Sequence, residues 1–161
     1  AAKDEIMLIS REGQSIRFRE GDVRAMGRVA GGVRGMKLAK RGDAIVGVDV
    51  IDRGSTPEGC EVIVIMEQGY GKRTKLGQYR IQGRGGSGIK TAELTAKTGK
   101  IVTGYVLNAK APPEDLIVMS KHGQVIRLPY QEVRITGRAA QGVRVMRFKE
   151  NGDSVASVTY V

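Results

Sequence analysis

Cysteine, histidine and aromatic residues are scarce in this 161-residue chain, and each shortage excludes a class of protein. The single cysteine, Cys60, cannot form an intramolecular disulfide, which favours a reducing compartment, and we expect the cytoplasm. One histidine, His122, and one cysteine cannot complete a zinc site. Five tyrosines and two phenylalanines are too few for a platform on which the bases of a single strand could stack.

Long apolar runs are also missing. The longest, at residues 45–51 and 62–66, are far shorter than the roughly 20 residues of a membrane-spanning helix, so we expect no membrane partner. No pair of acidic residues recurs at core-facing positions, where general acid–base catalysis would need one. The sequence therefore predicts a non-catalytic chain with no metal ion and no cofactor of its own.

Positive charge is abundant in this chain. Lys and Arg number 27 against 17 Asp and Glu, which gives a formal net charge of +10 at pH 7. A surplus of this size attracts polyanions. Charge alone leaves nucleic acid, an acidic protein and an anionic membrane as candidate partners.

The chain contains three copies of one unit. Apolar runs begin near residues 5, 61 and 115, and each run ends in a glycine turn. The turn glycines lie 56 and then 54 positions apart, and a Gly-Arg pair follows each turn at the same two offsets. We divide the chain into repeats at residues 1–56, 57–110 and 111–161, which together form part of one domain. The turn glycines are Gly13, Gly69 and Gly123, and the pairs begin at Gly27, Gly83 and Gly137.

Each repeat contains four strand-like runs. In the first repeat, residues 6–10 form a run that is apolar up to Ser10, and within residues 15–20 the apolar Ile16 and Phe18 alternate with Arg17 and Arg19. A longer connection leads to a third run at residues 33–38, and a run rich in valine and isoleucine ends at residue 51. No long stretch has the 3.6-residue period of a helix, and 23 glycines interrupt every candidate.

Four strands with a period in the mid-fifties are typical of a propeller blade. We therefore predict an all-β, propeller-like fold with three four-stranded blades. Three blades are too few to close a ring. The chain is then either an excerpt of a larger propeller or completes one by association, with open blade faces at its two ends.

Basic side chains recur at four positions of every repeat, and eleven of these twelve are arginine, which donates paired hydrogen bonds to phosphate. Because blades are related by rotation, repeated positions fall on one rim of the disc, and such a rim suits bent duplex DNA held by its backbone. Alternatively, the arginines lie in solvent on strand faces or bond turn carbonyls. The four positions are Arg17, Arg73 and Arg127; Arg24, Arg80 and Arg134; Arg28, Arg84 and Arg138; and Arg34, Lys90 and Arg144.

Five segments of the chain form a distinctive set. They are residues 23–28 (VRAMGR), 31–35 (GGVRG), 69–74 (GYGKRT), 135–138 (ITGR) and 141–143 (QGV). These segments resemble blades of the C-terminal domain of the DNA gyrase A protein. The resemblance covers essentially the whole chain, and it implies a β-pinwheel of six blades, of which these are the final three. It also implies a bacterial, nucleoid-associated domain that wraps DNA, with the rest of gyrase A and with gyrase B as partners, and with ATP and Mg²⁺ used elsewhere in the parent enzyme.

One loop departs from the pattern of that family. Residues 82–88 are similar to its glycine-rich box, which belongs to the first blade, but Gly83 and Ser87 stand where the box has cations. We interpret this loop as the equivalent of the box in a later blade. Its glycines would let backbone amides approach a phosphate, and the alternative is a plain flexible turn.

Two other functions remain open at this point. The C-terminal domain of the corresponding protein of topoisomerase IV shares the fold, and a protein-interaction propeller would use its basic rim to bind an acidic partner. An enzyme is the weakest alternative, since the sequence offers no catalytic constellation.

Overall fold

The computed structural model describes residues 4–52, 54 and 59–161, which fold into three antiparallel β-sheets packed side by side. The predicted boundary between the first two repeats, at residues 56 and 57, lies outside the described residues. The strands are β1 (Glu5–Ser10), β2 (Gln14–Arg19), β3 (Ile45–Ile51), β4 (Cys60–Met66), β5 (Tyr70–Lys75), β6 (Ile89–Lys90), β7 (Ile101–Asn108), β8 (Asp115–Ser120), β9 (Val125–Pro129), β10 (Val143–Arg144) and β11 (Val155–Tyr160).

The strand order shows that the repeats exchange strands. The first sheet has the order β3-β1-β2-β6, the second β7-β4-β5-β10, and the third β11-β8-β9. Strands β6 and β10 therefore leave their own repeats and complete the sheet of the preceding one. The all-β, propeller-like fold is confirmed, and every helix among the described residues is a single 3₁₀ turn. These turns are Glu20–Asp22, Leu76–Gln78 and Tyr130–Glu132.

Strand β4 is central to the molecule, because both of its faces are covered. All of its side chains are buried, as expected for a continuous apolar run between two sheets. Val62 and Val64 pack toward Met7 and Ile9 of the first sheet. On the opposite face of β4, Ile63 packs into a second core with residues of the third sheet. The two cores join the three sheets into one body.

Glycine permits two close backbone approaches where a strand enters a neighbouring sheet. Gly88 (φ +75°) precedes β6, and Gly142 (φ +89°) precedes β10. A Cβ on Gly142 would lie 2.6 Å from the carbonyl oxygen of Gly71, and a Cβ on Gly88 would overlap that of Ser15. Both positions need glycine for conformation and for space.

The third sheet departs from the prediction of three four-stranded blades, because it has three strands. The predicted run at residues 33–38 likewise forms no strand. Both differences follow from strand exchange. The 33–38 run corresponds to β6 and β10, and it pairs with none of the three sheets that the described residues form.

None of the helices among the described residues has the length and apolar character needed to cross a membrane.

Candidate nucleic-acid interface

The first repeated position holds arginines that bind sheets together. Arg17 is 7% exposed; its Nε donates to Glu5 Oε2 at 2.5 Å, and one Nη donates to the carbonyl of Tyr79 at 2.9 Å. Arg73 is 9% exposed and donates to Glu61 at 2.8 Å and to the carbonyl of Val133 at 2.6 Å. Each of these arginines therefore holds the 3₁₀ turn of the next repeat.

Arg127 occupies the same position in the last repeat but is largely exposed. It pairs with Asp115 at 2.5 Å, and its side chain is 63% exposed because no further 3₁₀ turn covers it. Arg17 and Arg73 are buried and already bonded within the molecule, which argues against the predicted DNA contact for these two members of the set. For these two residues the structure supports the alternative that they bond turn carbonyls.

The third position also contributes to contacts between repeats. Arg84 donates to the carbonyl of Asp22 at 3.0 Å and to that of Arg34. Arg138 donates to the carbonyl of Lys90. Arg28, in the first repeat, is exposed. Arg84 and Arg138 are both half-buried. Their positive charge adds to the electrostatic potential of the nearby surface, although some of their N–H groups already donate to carbonyl groups within the molecule.

The second and fourth positions remain at the surface. Arg24, Arg80 and Arg134 are exposed, and their guanidinium groups have no hydrogen-bond partner within residues 4–52, 54 and 59–161. Each follows a 3₁₀ turn at the outer edge of its sheet. In the fourth position, Lys90 pairs with Glu93 at 2.6 Å, and Arg144 lies over the ring of Tyr70 at 5.2 Å. We call seven residues the cationic rim: Arg24, Arg28, Arg34, Arg80, Lys90, Arg134 and Arg144.

The glycine-rich loop at residues 82–88 is an ordered contact between repeats rather than a plain flexible turn. The amide of Gln82 donates to the carbonyl of Arg17 at 2.7 Å, and that of Gly85 donates to Gly35 at 2.7 Å. The carbonyl of Gly86 accepts from Lys37 at 2.8 Å. Two of the loop's backbone amides are therefore already occupied, which weakens the expectation that it surrounds a phosphate.

Lys72 is a residue whose role the sequence analysis missed. Its Nζ is buried and donates to the carbonyl of Gly137 at 2.9 Å and to that of Arg138. The equivalent residues in the other repeats are Ile16 and Ile126. A lysine at a position that is apolar in the other two repeats is therefore the sequence feature that could have indicated this role. Burial, with a smaller contribution from the charge of Arg138, lowers the pKa of Lys72 to about 8. Lys72 thus holds the loop that carries Arg138.

This lowered pKa predicts a stability that rises with pH. Above pH 8 the folded chain loses the proton of Lys72, while the unfolded chain keeps it until its ordinary pKa of 10.5. Between pH 7 and 9.5, the free energy of unfolding should rise by about 2 kcal/mol relative to a Lys72→Met variant. Urea unfolding at several pH values measures this difference. A Lys75→Met variant, which replaces an exposed lysine of the same strand and keeps Lys72, should show the same rise as the unsubstituted chain.

Other chemistry is sparse in this structure. His122 lies in an exposed turn, where its Nδ1 is 2.9 Å from Glu150. Within the described ranges, no group of three His, Cys, Asp or Glu residues is placed to hold a metal ion. The cationic rim is therefore the strongest candidate site.

Three strand-exchanged sheets with a cationic outer edge define an incomplete propeller of the pinwheel class. The family described as DNA gyrase C-terminal domain, beta-propeller, matches residues 4–52, 61–108 and 114–161. The chain belongs to this family. The resemblance noted in the sequence is thereby confirmed.

Two relatives show how much of a longer protein this chain represents. The DNA gyrase A protein of Staphylococcus epidermidis is 42% identical over 158 residues, which make up 98% of this chain and 17% of that protein. The DNA gyrase A protein of Deinococcus deserti is 43% identical over 155 residues, or 96% and 18% of the two chains. The chain therefore spans less than a fifth of the length of these relatives.

Two solved structures share the fold. The C-terminal domain of DNA gyrase A matches with a TM-score of 0.81 at 27% identity, covering 98% of this chain and 50% of the solved one. The C-terminal domain of DNA topoisomerase IV matches with a TM-score of 0.84 at 28% identity, covering 99% and 47%. The fold therefore does not distinguish the two enzymes, whereas the two sequence relatives are gyrase A proteins.

Proposed function

We propose that this chain binds duplex DNA along the cationic rim and bends it so that it wraps around the rim, without reading its sequence. The observation that carries the proposal is the repetition of exposed cations at the outer edges of successive sheets. Arg24, Arg80 and Arg134 occupy the same position of each repeat, in three sheets that pack side by side in the same way. Cations spaced in this way meet successive phosphates of a curved backbone, and such contacts do not depend on base sequence.

The unpaired state of these arginines supports the proposal. A guanidinium group that is already bonded to a carboxylate gains little from a phosphate, because an existing ion pair must be broken first. The arginines of the second position have no such partner within the described ranges. Arg17 and Arg73, which are bonded and buried, are excluded from the proposed DNA-binding set.

The activity of the longer protein follows as part of the same proposal. As in the family to which the chain belongs, the bent DNA would be presented to a cleavage core formed by the rest of gyrase A, working with gyrase B. This core would use ATP and Mg²⁺ in the bacterial cytoplasm. The chain itself contributes DNA binding and no catalytic residue.

Two measurements with the intact chain test the proposal. Binding to unrelated duplexes should show equal affinities and a log–log salt slope of about −5, which corresponds to roughly six phosphate contacts. Relaxed circular DNA, nicked and then sealed by a ligase in the presence of the chain, should show a changed linking number. Equal linking numbers with and without the chain would overturn wrapping, because only DNA that is wound around the rim, and not DNA that is bent in a plane, is sealed with a changed linking number.

The protein-interaction alternative gives a different result in the same experiments. A rim that recognises an acidic protein should bind an acidic peptide saturably and should bind duplex DNA only weakly. Tighter binding of the acidic peptide than of duplex DNA at the same salt concentration would favour this alternative.

A further inference from the structure

The chain has two internal junctions, where a short strand of one repeat completes the sheet of the preceding repeat. At the first junction, Gln14 of β2 pairs with Lys90 of β6. At the second, Tyr70 of β5 pairs with Arg144 of β10 in the same register. Each of these two sheets has its full four strands, so a difference between the junctions comes from the side chains and not from a missing neighbour.

Carboxylates neutralise the cations of the first junction. Lys90 pairs with Glu93 at 2.6 Å. Lys40, in the turn before β3, lies 3.5 Å from Glu12, and Glu12 also pairs with Lys100 at 2.5 Å. Each of these three lysines therefore has an anionic partner within the molecule.

The second junction keeps the equivalent cations but lacks the carboxylates. Two cations and two carboxylates occupy four positions of the first junction, whereas three cations and a neutral amide occupy the same positions of the second. Within residues 4–52, 54 and 59–161, neither Lys97 nor Arg144 lies within 4 Å of a carboxylate oxygen. The equivalent pairs are Lys40 and Lys97, Lys90 and Arg144, Glu12 and Gln68, and Glu93 and Arg147.

These unneutralised cations converge on the side chain of Tyr70. The guanidinium carbon of Arg144 lies 5.2 Å from the centre of the ring, and the Nζ of Lys97 lies 5.8 Å from it. One Nη of Arg144 donates to the hydroxyl oxygen of Tyr70 at 3.3 Å. The hydrogen of this hydroxyl has no acceptor in the described part of the chain, so it is free to donate to a ligand.

The surroundings of Tyr70 fix its position and strengthen its O–H group as a donor. The hydrogen bond from Arg144, followed by that from Lys97, holds the pKa of the Tyr70 hydroxyl below its ordinary value, against the opposing effect of burial. The ring packs into the first core and is 5% exposed, whereas Lys97 and Arg144 are exposed. A fixed donor thus lies beside two cations that reach solvent.

We propose that Tyr70, Lys97 and Arg144 form a site for one phosphate group. The two cations supply charge and hydrogen bonds to its oxygens, and the phenol donates a further hydrogen bond. An anion bound here also relieves the repulsion between two cations that converge without a carboxylate. Because β10 is the outermost strand of its sheet and Arg144 belongs to the cationic rim, we assign the phosphate to the backbone of duplex DNA. This assignment rests on the proposed function, and the site itself does not.

A Tyr70→Phe variant tests the phenol. Phenylalanine keeps the packing and the ring that the cations approach, and it removes only the O–H group. The affinity for duplex DNA at about 0.1 M salt should fall roughly tenfold, because a hydrogen bond to a charged group is lost. The salt slope should stay the same, because no charge is removed. Tyr160→Phe, at a ring that is 45% exposed, should change neither quantity. Wild-type affinity of the Tyr70→Phe variant would show that the ring contacts alone explain the arrangement, and it would overturn the site.

Two substitutions test the cations against the first junction. Lys97→Gln should make the log–log salt slope shallower by about 0.9, and Lys40→Gln should leave it unchanged, because Lys40 is already paired with Glu12. Gln68→Glu adds the carboxylate that the first junction has, so it should weaken DNA binding as Lys97→Gln does. Equal slopes for the Lys97 and Lys40 variants would overturn the site and leave the proposed function intact.

Nuclear magnetic resonance of the intact chain, labelled with ¹³C at the Cζ of tyrosine, identifies the source of the phosphate. The Tyr70 signal, assigned by its absence in the Tyr70→Phe variant, should shift when a short duplex is added. Inorganic phosphate should shift the same signal at millimolar concentration, relative to sodium chloride of equal ionic strength. A shift with inorganic phosphate alone would support the site and overturn its assignment to DNA. A Tyr70 signal that moves with neither ligand would overturn the site.

Discussion

Replacing Arg24, Arg80 and Arg134 together by alanine should weaken the binding of duplex DNA by roughly two to three orders of magnitude at about 0.1 M salt. Each lost phosphate contact removes about 0.9 from the log–log salt slope, so the slope should become shallower by about 2.7 if all three contacts form at once. Fluorescence anisotropy over a range of salt concentrations measures both quantities. The free energy of unfolding should barely change, because the three guanidinium groups are exposed and unpaired among the described residues.

A matched triple variant controls for the loss of net charge. Arg41, Lys121 and Lys149 are exposed cations in turns at the opposite end of the strands. Their replacement by alanine removes the same three charges and should shift the salt slope much less. If both triple variants lose affinity equally, general attraction by net charge explains the binding, and the rim has no special role.

Replacing Gly88 by alanine should destabilise the fold by about 3 kcal/mol or more. The residue has a φ of +75°, which costs an L-residue about 1 kcal/mol, and its new Cβ would overlap the carbonyl oxygen of Ser15. The overlap must be relieved by moving backbone at a sheet junction, which is where overpacking costs most. Denaturant unfolding measures the loss.

Gly42 provides the control for this substitution. It has a similar φ of +79°, but no atom lies within 4 Å of a Cβ built on it. Gly42→Ala should therefore cost only the conformational part, about 1 kcal/mol. Equal losses at the two positions would show that the close approach to Ser15 contributes nothing.

The repeats made the fold class predictable from the sequence. The exchange of strands between repeats could not be predicted in this way. The registration of glycines and apolar runs indicated three β units, and the strands of each hairpin lie where the alternation of side chains places them. Periodicity describes which residues form strands, however, and says nothing about which sheet receives them. That choice depends on the approach of Gly88 and Gly142 to neighbouring backbone, which only the folded chain shows.

The candidate site was predictable in part for a similar reason. A repeated arginine indicates a repeated role, but phosphate binding and carbonyl binding use the same donors. A further signal separates the two roles in this chain. An acidic residue lies twelve positions before each arginine of the first set, as Glu5, Glu61 and Asp115 do, and in the structure each pair forms an ion pair. In the exposed second set this acid does not recur, since Glu12, Gln68 and His122 stand at the corresponding positions, and Glu12 pairs with Lys40 and Lys100 rather than with Arg24.

The exchange of edge strands also bears on how the chain is synthesised. A ribosome delivers β1, β2 and β3 well before it delivers Ile89 and Lys90, which complete their sheet. During that interval the outer edge of β2 stays open, and open edges are where nascent chains pair with the wrong neighbour. The first and second sheets thus reach their final form only after part of the next repeat has been translated, so a translational pause between residues 51 and 89 would prolong the exposure of β2.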